Sequence, residues 1–196
     1  ATADVNVPQP SGKINITENG TDIDVSQYAL ADVDVNAGLE ISFKEGAPFM
    51  LFGYTVTSGQ IDIEVPAQYT ELYDGAFSYA QIFKKLKFLG LQRIPNVDVS
   101  NGELPPFTGA NFESIDLGTS LTSIGNYGCA NTASVTIRDA IFYLPVTLTN
   151  IGTNAFHGYE GNTKIYYAGT QTQWENITGV SNVPQTIRII YETTPD

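Results

Sequence analysis

The residues able to do chemistry are few and scattered. The chain holds one histidine and one cysteine, His157 and Cys129. No Ser, Asp or Cys stands beside His157 in a recognisable triad pattern, although such partners can be distant in sequence. A single His and a single Cys cannot build a His/Cys zinc site. No Gly-rich phosphate loop of the required form is present. The carboxylates Glu64, Glu71, Asp74, Glu103 and Asp116 are the acids from which a glycoside-hydrolysing pair would have to come. That chemistry needs two carboxyl groups at a defined separation across a cleft, and nothing in the spacing singles out two. Asp22, Asp24, Asp32 and Asp34 alternate with Ile23, Val25, Val33 and Val35. Carboxylates two apart on a strand share a face without forming the looped oxygen cage calcium needs, so a solvated acidic face is expected. The sequence therefore predicts no catalytic residue, no metal and no cofactor. Its sharpest binding candidates are Tyr166, Tyr167 and Trp174, as exposed rings for stacking on a glycan. The competing reading makes Trp174 a packing residue of a terminal unit.

Composition narrows the function classes. The chain has 196 residues, of which 42% are hydrophobic, enough to bury a sizeable core. Only 15% are charged, against about 25% in ordinary globular chains. Net charge is -12. Nucleic-acid binding needs a basic footprint to neutralise phosphates, and the only basic cluster is Lys84-Lys85-Leu86-Lys87, expected as a solvated element face. No nucleic-acid partner is expected. Nor is membrane insertion, since no stretch approaches the roughly 18 to 20 continuous apolar residues of a spanning helix. The N-terminus shows no charged-apolar-small leader, which fits a protein assembled in the cytoplasm and equally a processed or truncated chain.

The elements that position these residues read mainly as short strands. Over residues 1–38, Val5 and Val7, Ile14 and Ile16, Ile23 and Val25, and Val33 and Val35 alternate with polar neighbours, the period of half-buried strands. Asn19-Gly20 suits a tight hairpin turn, so 13–17 and 21–25 are expected to pair. A turn or short helix is expected at 26–31 and a strand at 32–36. Residues 39–60 form a junction, whose apolar run Phe49-Met50-Leu51-Phe52 is expected to dock the N-terminal unit or cover the first open edge of the repeats.

From residue 61 to 196 a phrase recurs. Val65-Pro66-Ala67-Gln68-Tyr69-Thr70-Glu71-Leu72, Leu117-Gly118-Thr119-Ser120-Leu121-Thr122-Ser123-Ile124 and Leu144-Pro145-Val146-Thr147-Leu148-Thr149-Asn150-Ile151 share one pattern. Each reads apolar, Pro or Gly, two variable residues, apolar, Thr, one variable residue, apolar. Each is succeeded by Ala76-Phe77, Gly128-Cys129 or Ala155-Phe156. Cys129 stands where the others carry Phe, so a buried thiol is expected. Recurrence at this spacing means stacked units. A divergent unit fills the gap, with Phe107 or Phe112 as its aromatic. Strands are expected at Ile61–Val65, 114–117 and 135–137. Over about 163–192 an atypical closing segment is expected, with a short helix at 170–177 and a last strand at 186–192.

The phrase Leu144-Pro145-x-x-Leu148-Thr149-x-Ile151-Gly152-x-x-Ala155-Phe156 resembles the BspA-type leucine-rich repeat. The segment Ile165-Tyr166-Tyr167-Ala168-Gly169-Thr170 with Gln173-Trp174 resembles the cap that ends such arrays. The resemblance covers about 61–192. It implies a mainly β fold: a small N-terminal β unit, then a short leucine-rich-repeat solenoid with a C-terminal cap. Pro10-Ser11-Gly12-Lys13, Ile16-Thr17-Glu18-Asn19-Gly20-Thr21, Asp24-Val25-Ser26-Gln27-Tyr28-Ala29 and Val33-Asp34-Val35 are similar to a module of tailed-bacteriophage virion proteins. Together they imply a non-enzymatic virion structural protein, as capsid decoration, head fibre or tail-associated element. Its implied partners are other virion proteins, a host-surface protein or a glycan, with homo-oligomerisation expected. A bacterial cell-surface adhesin fragment is the alternative, and a glycan-active enzyme a third reading.

Overall fold

The computed structural model describes residues 15–18, 21–24, 40–42, 50–52, 61–65, 67, 69–72, 74–78, 83–110, 112–134, 137–193 and 195. The expected strands around Val5 and Val7 and at 32–36, and the turn at 26–31, lie outside them. Fifteen short strands make the described fold mainly β. They are β1 (Asn15–Glu18), β2 (Thr21–Asp24), β3 (Glu40–Ser42), β4 (Met50–Phe52), β5 (Ile61–Val65), β6 (Phe83–Phe88), β7 (Arg93–Ile94) and β8 (Ser114–Asp116). Next come β9 (Ser123–Ile124), β10 (Ile137–Arg138), β11 (Ile141–Leu144), β12 (Asn150–Ile151), β13 (Tyr159–Glu160), β14 (Lys164–Tyr167) and β15 (Arg188–Tyr191). One short helix, α1 (Gln171–Glu175), separates β14 from β15.

The main sheet runs in the order β15-β14-β11-β8-β6-β5-β1-β2. From β5 to β15 every neighbouring pair is parallel. Register brings Leu86, Ile115, Phe142, Ile165 and Ile189 into one column. A strand alternates its side chains between two faces, so Phe142 and Leu144 of β11 are buried while Ile141 and Tyr143 stay half-exposed. β14 repeats the pattern, with Ile165 and Tyr167 inward.

A second, three-stranded parallel sheet, β12-β9-β7, aligns Ile151, Ile124 and Ile94. The threonine of the shared phrase is placed here. Thr122 donates its N–H (2.8 Å) and its Oγ1–H (3.0 Å) to the Gln92 carbonyl. Thr149 does the same to the Thr122 carbonyl, at 2.9 and 3.0 Å. Each threonine thus binds the preceding unit twice, once through a hydroxyl that a valine of the same shape lacks.

Between the sheets lies an aromatic core. Phe77 stacks on Phe107 at 5.9 Å and 17°. The contacts continue from Phe107 to Phe112 (6.2 Å), Phe112 to Phe142 (5.8 Å) and Phe142 to Phe156 (5.2 Å). Phe107 holds a place equivalent to that of Phe156. The carbonyl before it, on Pro106, accepts from Phe77 N–H, just as the carbonyl of Ala155, before Phe156, accepts from Cys129 N–H. Phe112 bridges the stretch of core where Cys129 supplies only a thiol. Fully burying one such ring stabilises by about 1.5–3 kcal/mol.

Some strand pairings differ from those the sequence suggests. The unit expected to use 135–137 as its sheet strand uses β11 instead. The strand must end at the Pro or Gly that opens the phrase, here Pro145, while β10 pairs separately with β13. The expected hairpin is β1–β2, with Glu18 opposite Thr21. β1 also pairs antiparallel with β5, Ile16 opposite Ile63, and so covers the first edge of the parallel strands. Finally, β4, within the junction's apolar run, pairs antiparallel with β3 rather than with that edge.

Two buried groups give direct tests. Tyr159 is 3% exposed and its hydroxyl has no hydrogen-bond partner among the described residues. An unmet buried hydroxyl costs free energy, so Tyr159→Phe is expected to leave the urea midpoint unchanged or raise stability by up to about 1 kcal/mol. A clear loss would show that the hydroxyl is engaged. Cys129 is fully buried, which pushes its thiol far above the ordinary range. The thiolate is the reactive form, so iodoacetamide at neutral pH is expected to label the unfolded chain and spare the folded one.

Candidate functional site

The carboxylates singled out by sequence separate into two places. Glu71, Asp74 and Glu103 line one cleft of about 220 Å³ with Ile94, Asn96 and Pro106. The turn after the first phrase supplies Asp74, and the loop after the 3-10 helix Val99–Asn101 supplies Glu103. Two of the three have structural work there. Glu71 Oε1 accepts from Arg93 Nε at 2.6 Å, which favours the charged guanidinium. Glu103 Oε2 accepts from the Asp98 N–H at 2.7 Å. Asp98 caps the 3-10 helix, and the bonds it takes from Ser100 and Asn101 hold its carboxyl below the usual range. Asp116 lies elsewhere, on the outward face of the main sheet, and Glu64 belongs to β5. Among the described residues no group of three or more His, Cys, Asp or Glu is placed to hold a metal ion. No described helix is long and apolar enough to cross a membrane.

His157 is exposed and meets Tyr127 edge to face at 6.4 Å. Cys129 is buried in the core.

The three aromatic binding candidates do not act together. Tyr166 and Tyr167 are neighbours on β14, so they point to opposite faces. Tyr167 is 1% exposed and Trp174 5%, and their rings meet at 5.3 Å. Trp174 is the buried residue of α1, which starts at a capping box: Thr170 Oγ1 accepts from Gln173 N–H and Gln173 Oε1 accepts from Thr170 N–H. Tyr167 and Trp174 therefore cannot offer faces to a glycan. Apolar burial against Leu144 and the core wins over exposure.

Tyr166 stays outward and has a companion that the sequence reading missed. Tyr143 of β11 is its register partner, and the rings stack at 5.2 Å and 19°. The signal was available: both tyrosines stand one residue before the last of a four-residue strand. One outward row is set by register: Lys87, Asp116, Tyr143, Tyr166, Ile190. A second holds Lys85, Ser114, Ile141, Lys164 and Arg188. Asp116 is pushed above the usual carboxyl range by burial, against the pull of the Gly118 N–H (2.9 Å) and of Lys87. Such a face can bind through aromatic edges, hydroxyls and cations, and it sits on a hydrogen-bonded sheet that keeps it rigid.

Comparison with protein families, curated proteins and solved structures yields no match.

Proposed function

We propose that this chain is a non-enzymatic structural protein of a tailed-phage virion. In this reading its repeats form a short leucine-rich-repeat solenoid of the BspA type. Helix α1 and strand β15 close its C-terminal end, and Trp174 fills the last layer of core. The observation that carries the proposal is the outward face of the parallel strands. It places the stacked Tyr143–Tyr166 pair among half-exposed apolar and cationic residues, the composition of a recognition patch. Stacked repeats present such surfaces to partners. The phage setting rests on the likeness of the N-terminal residues to a virion module, whose hairpin β1–β2 joins the sheet edge.

The partner is another virion protein or a protein or glycan of the host surface. Gradient-purified phage particles, analysed by mass spectrometry with a labelled standard, are expected to contain the chain at a fixed copy number. Recovery in the bacterial envelope fraction with none on particles would overturn the proposal in favour of an adhesin.

A further inference from the structure

Charge is distributed unevenly along the outward sheet face. At one end Asp116 stands beside Lys87, which thus has an acid as its register neighbour. Toward the other end the outward positions are Ile141 and Tyr143 on β11, Lys164 and Tyr166 on β14, and Arg188 and Ile190 on β15. No carboxylate shares these six positions. Among the described residues neither Lys164 nor Arg188 is ion-paired. On a chain of net charge -12, this is a local cationic and aromatic surface.

We infer that this half of the face, built from Tyr143, Lys164, Tyr166, Arg188 and Ile190, docks an acidic polypeptide segment. The inference rests on reading the chain as a binding scaffold and names its partner's chemistry. Ring geometry selects polypeptide over glycan. Tyr143 and Tyr166 sit on adjacent strands, about 4.8 Å apart, and their rings stack at 5.2 Å. The rings therefore stand upright, each covering one face of the other, and Asp116 and Ile190 hold the register positions beside the two outer faces. A sugar needs an open ring face to lie on. Half-buried tyrosine edges and hydroxyls with an arginine alongside are instead what protein partners use as anchors. At physiological ionic strength charges more than about 8 Å away are screened. A docked carboxylate then responds to Lys164 and Arg188 rather than to the net negative charge.

The test uses the whole chain at physiological ionic strength and fluorescence anisotropy of three probes. These are a short peptide alternating glutamate and valine, its lysine–valine counterpart, and an oligogalacturonate as an anionic glycan. The acidic peptide is expected to bind and the other two not. The double variant Lys164→Glu, Arg188→Glu is expected to weaken binding by about tenfold or more, and Lys85→Glu by less than about twofold. Unchanged melting would show that both variants are folded. The milder pair Lys164→Gln, Arg188→Gln covers the possibility that charge reversal perturbs the fold. Absence of acidic-peptide binding, equal binding after the double substitution, or preference for the oligogalacturonate would each overturn the inference. Association with particles is read separately, so its presence without acidic-peptide binding sinks this inference alone.

Discussion

Phe142→Ala is expected to cost about 3–5 kcal/mol of folding stability. Phe142 is fully buried and touches Phe112, Phe156 and Tyr159 at centroid distances of 5.8, 5.2 and 5.2 Å. Phe156 and Tyr159 come from the turn and strand that follow β11 in its own unit, and Phe112 comes from the segment before the neighbouring strand β8. Deleting Phe142 opens a cavity that none of them can fill without leaving its own layer. Domains are stable by only about 5–15 kcal/mol, so the variant is expected to lose a large share of its stability in urea denaturation. A loss under about 1.5 kcal/mol would mean that the units do not share this core.

Gly152→Ala is the second large effect, and it probes the contact between units rather than the core. A Cβ at position 152 would lie 2.4 Å from the Asn126 backbone nitrogen and 2.5 Å from the Gly125 carbonyl carbon. Both are main-chain atoms, so no rotamer change relieves the clash. The Gly152 N–H also donates to the Ile124 carbonyl at 2.8 Å, and pushing the chains apart stretches that bond. About 2 kcal/mol or more of destabilisation is expected, whereas exposed Ser120→Ala is expected to stay within about 0.5 kcal/mol. Equal small effects would contradict the close approach of the two turns.

The glycine after Ile124 and after Ile151 was readable as part of a recurring phrase, but its reason was not. The phrase shows which positions recur. Only the stack shows that Gly152 faces the backbone of the preceding unit and that Thr122 and Thr149 bond backward across it. Strand β5 was legible to the residue because alternation runs cleanly into Pro66. Strand β11 was not, because Val135 and Ile137 alternate as well as Phe142 and Leu144 do, and period alone does not choose between them. Covering of the sheet edge by β1 was invisible for a related reason. Antiparallel addition to β5 is a long-range pairing with no local signature. For the site, local sequence pointed to the adjacent tyrosines at 166 and 167. Strand geometry splits adjacent residues between faces, and the real companion, Tyr143, stands one unit earlier.

In the proposed function the outward face of β11, β14 and β15 meets a partner. Radical footprinting of the chain, free and in its native assembly, tests it most directly. Labelling of Tyr143, Tyr166 and Ile190 is expected to fall on assembly while exposed His157 stays labelled. Unchanged labelling at all three, with protection confined to other surfaces, would contradict it.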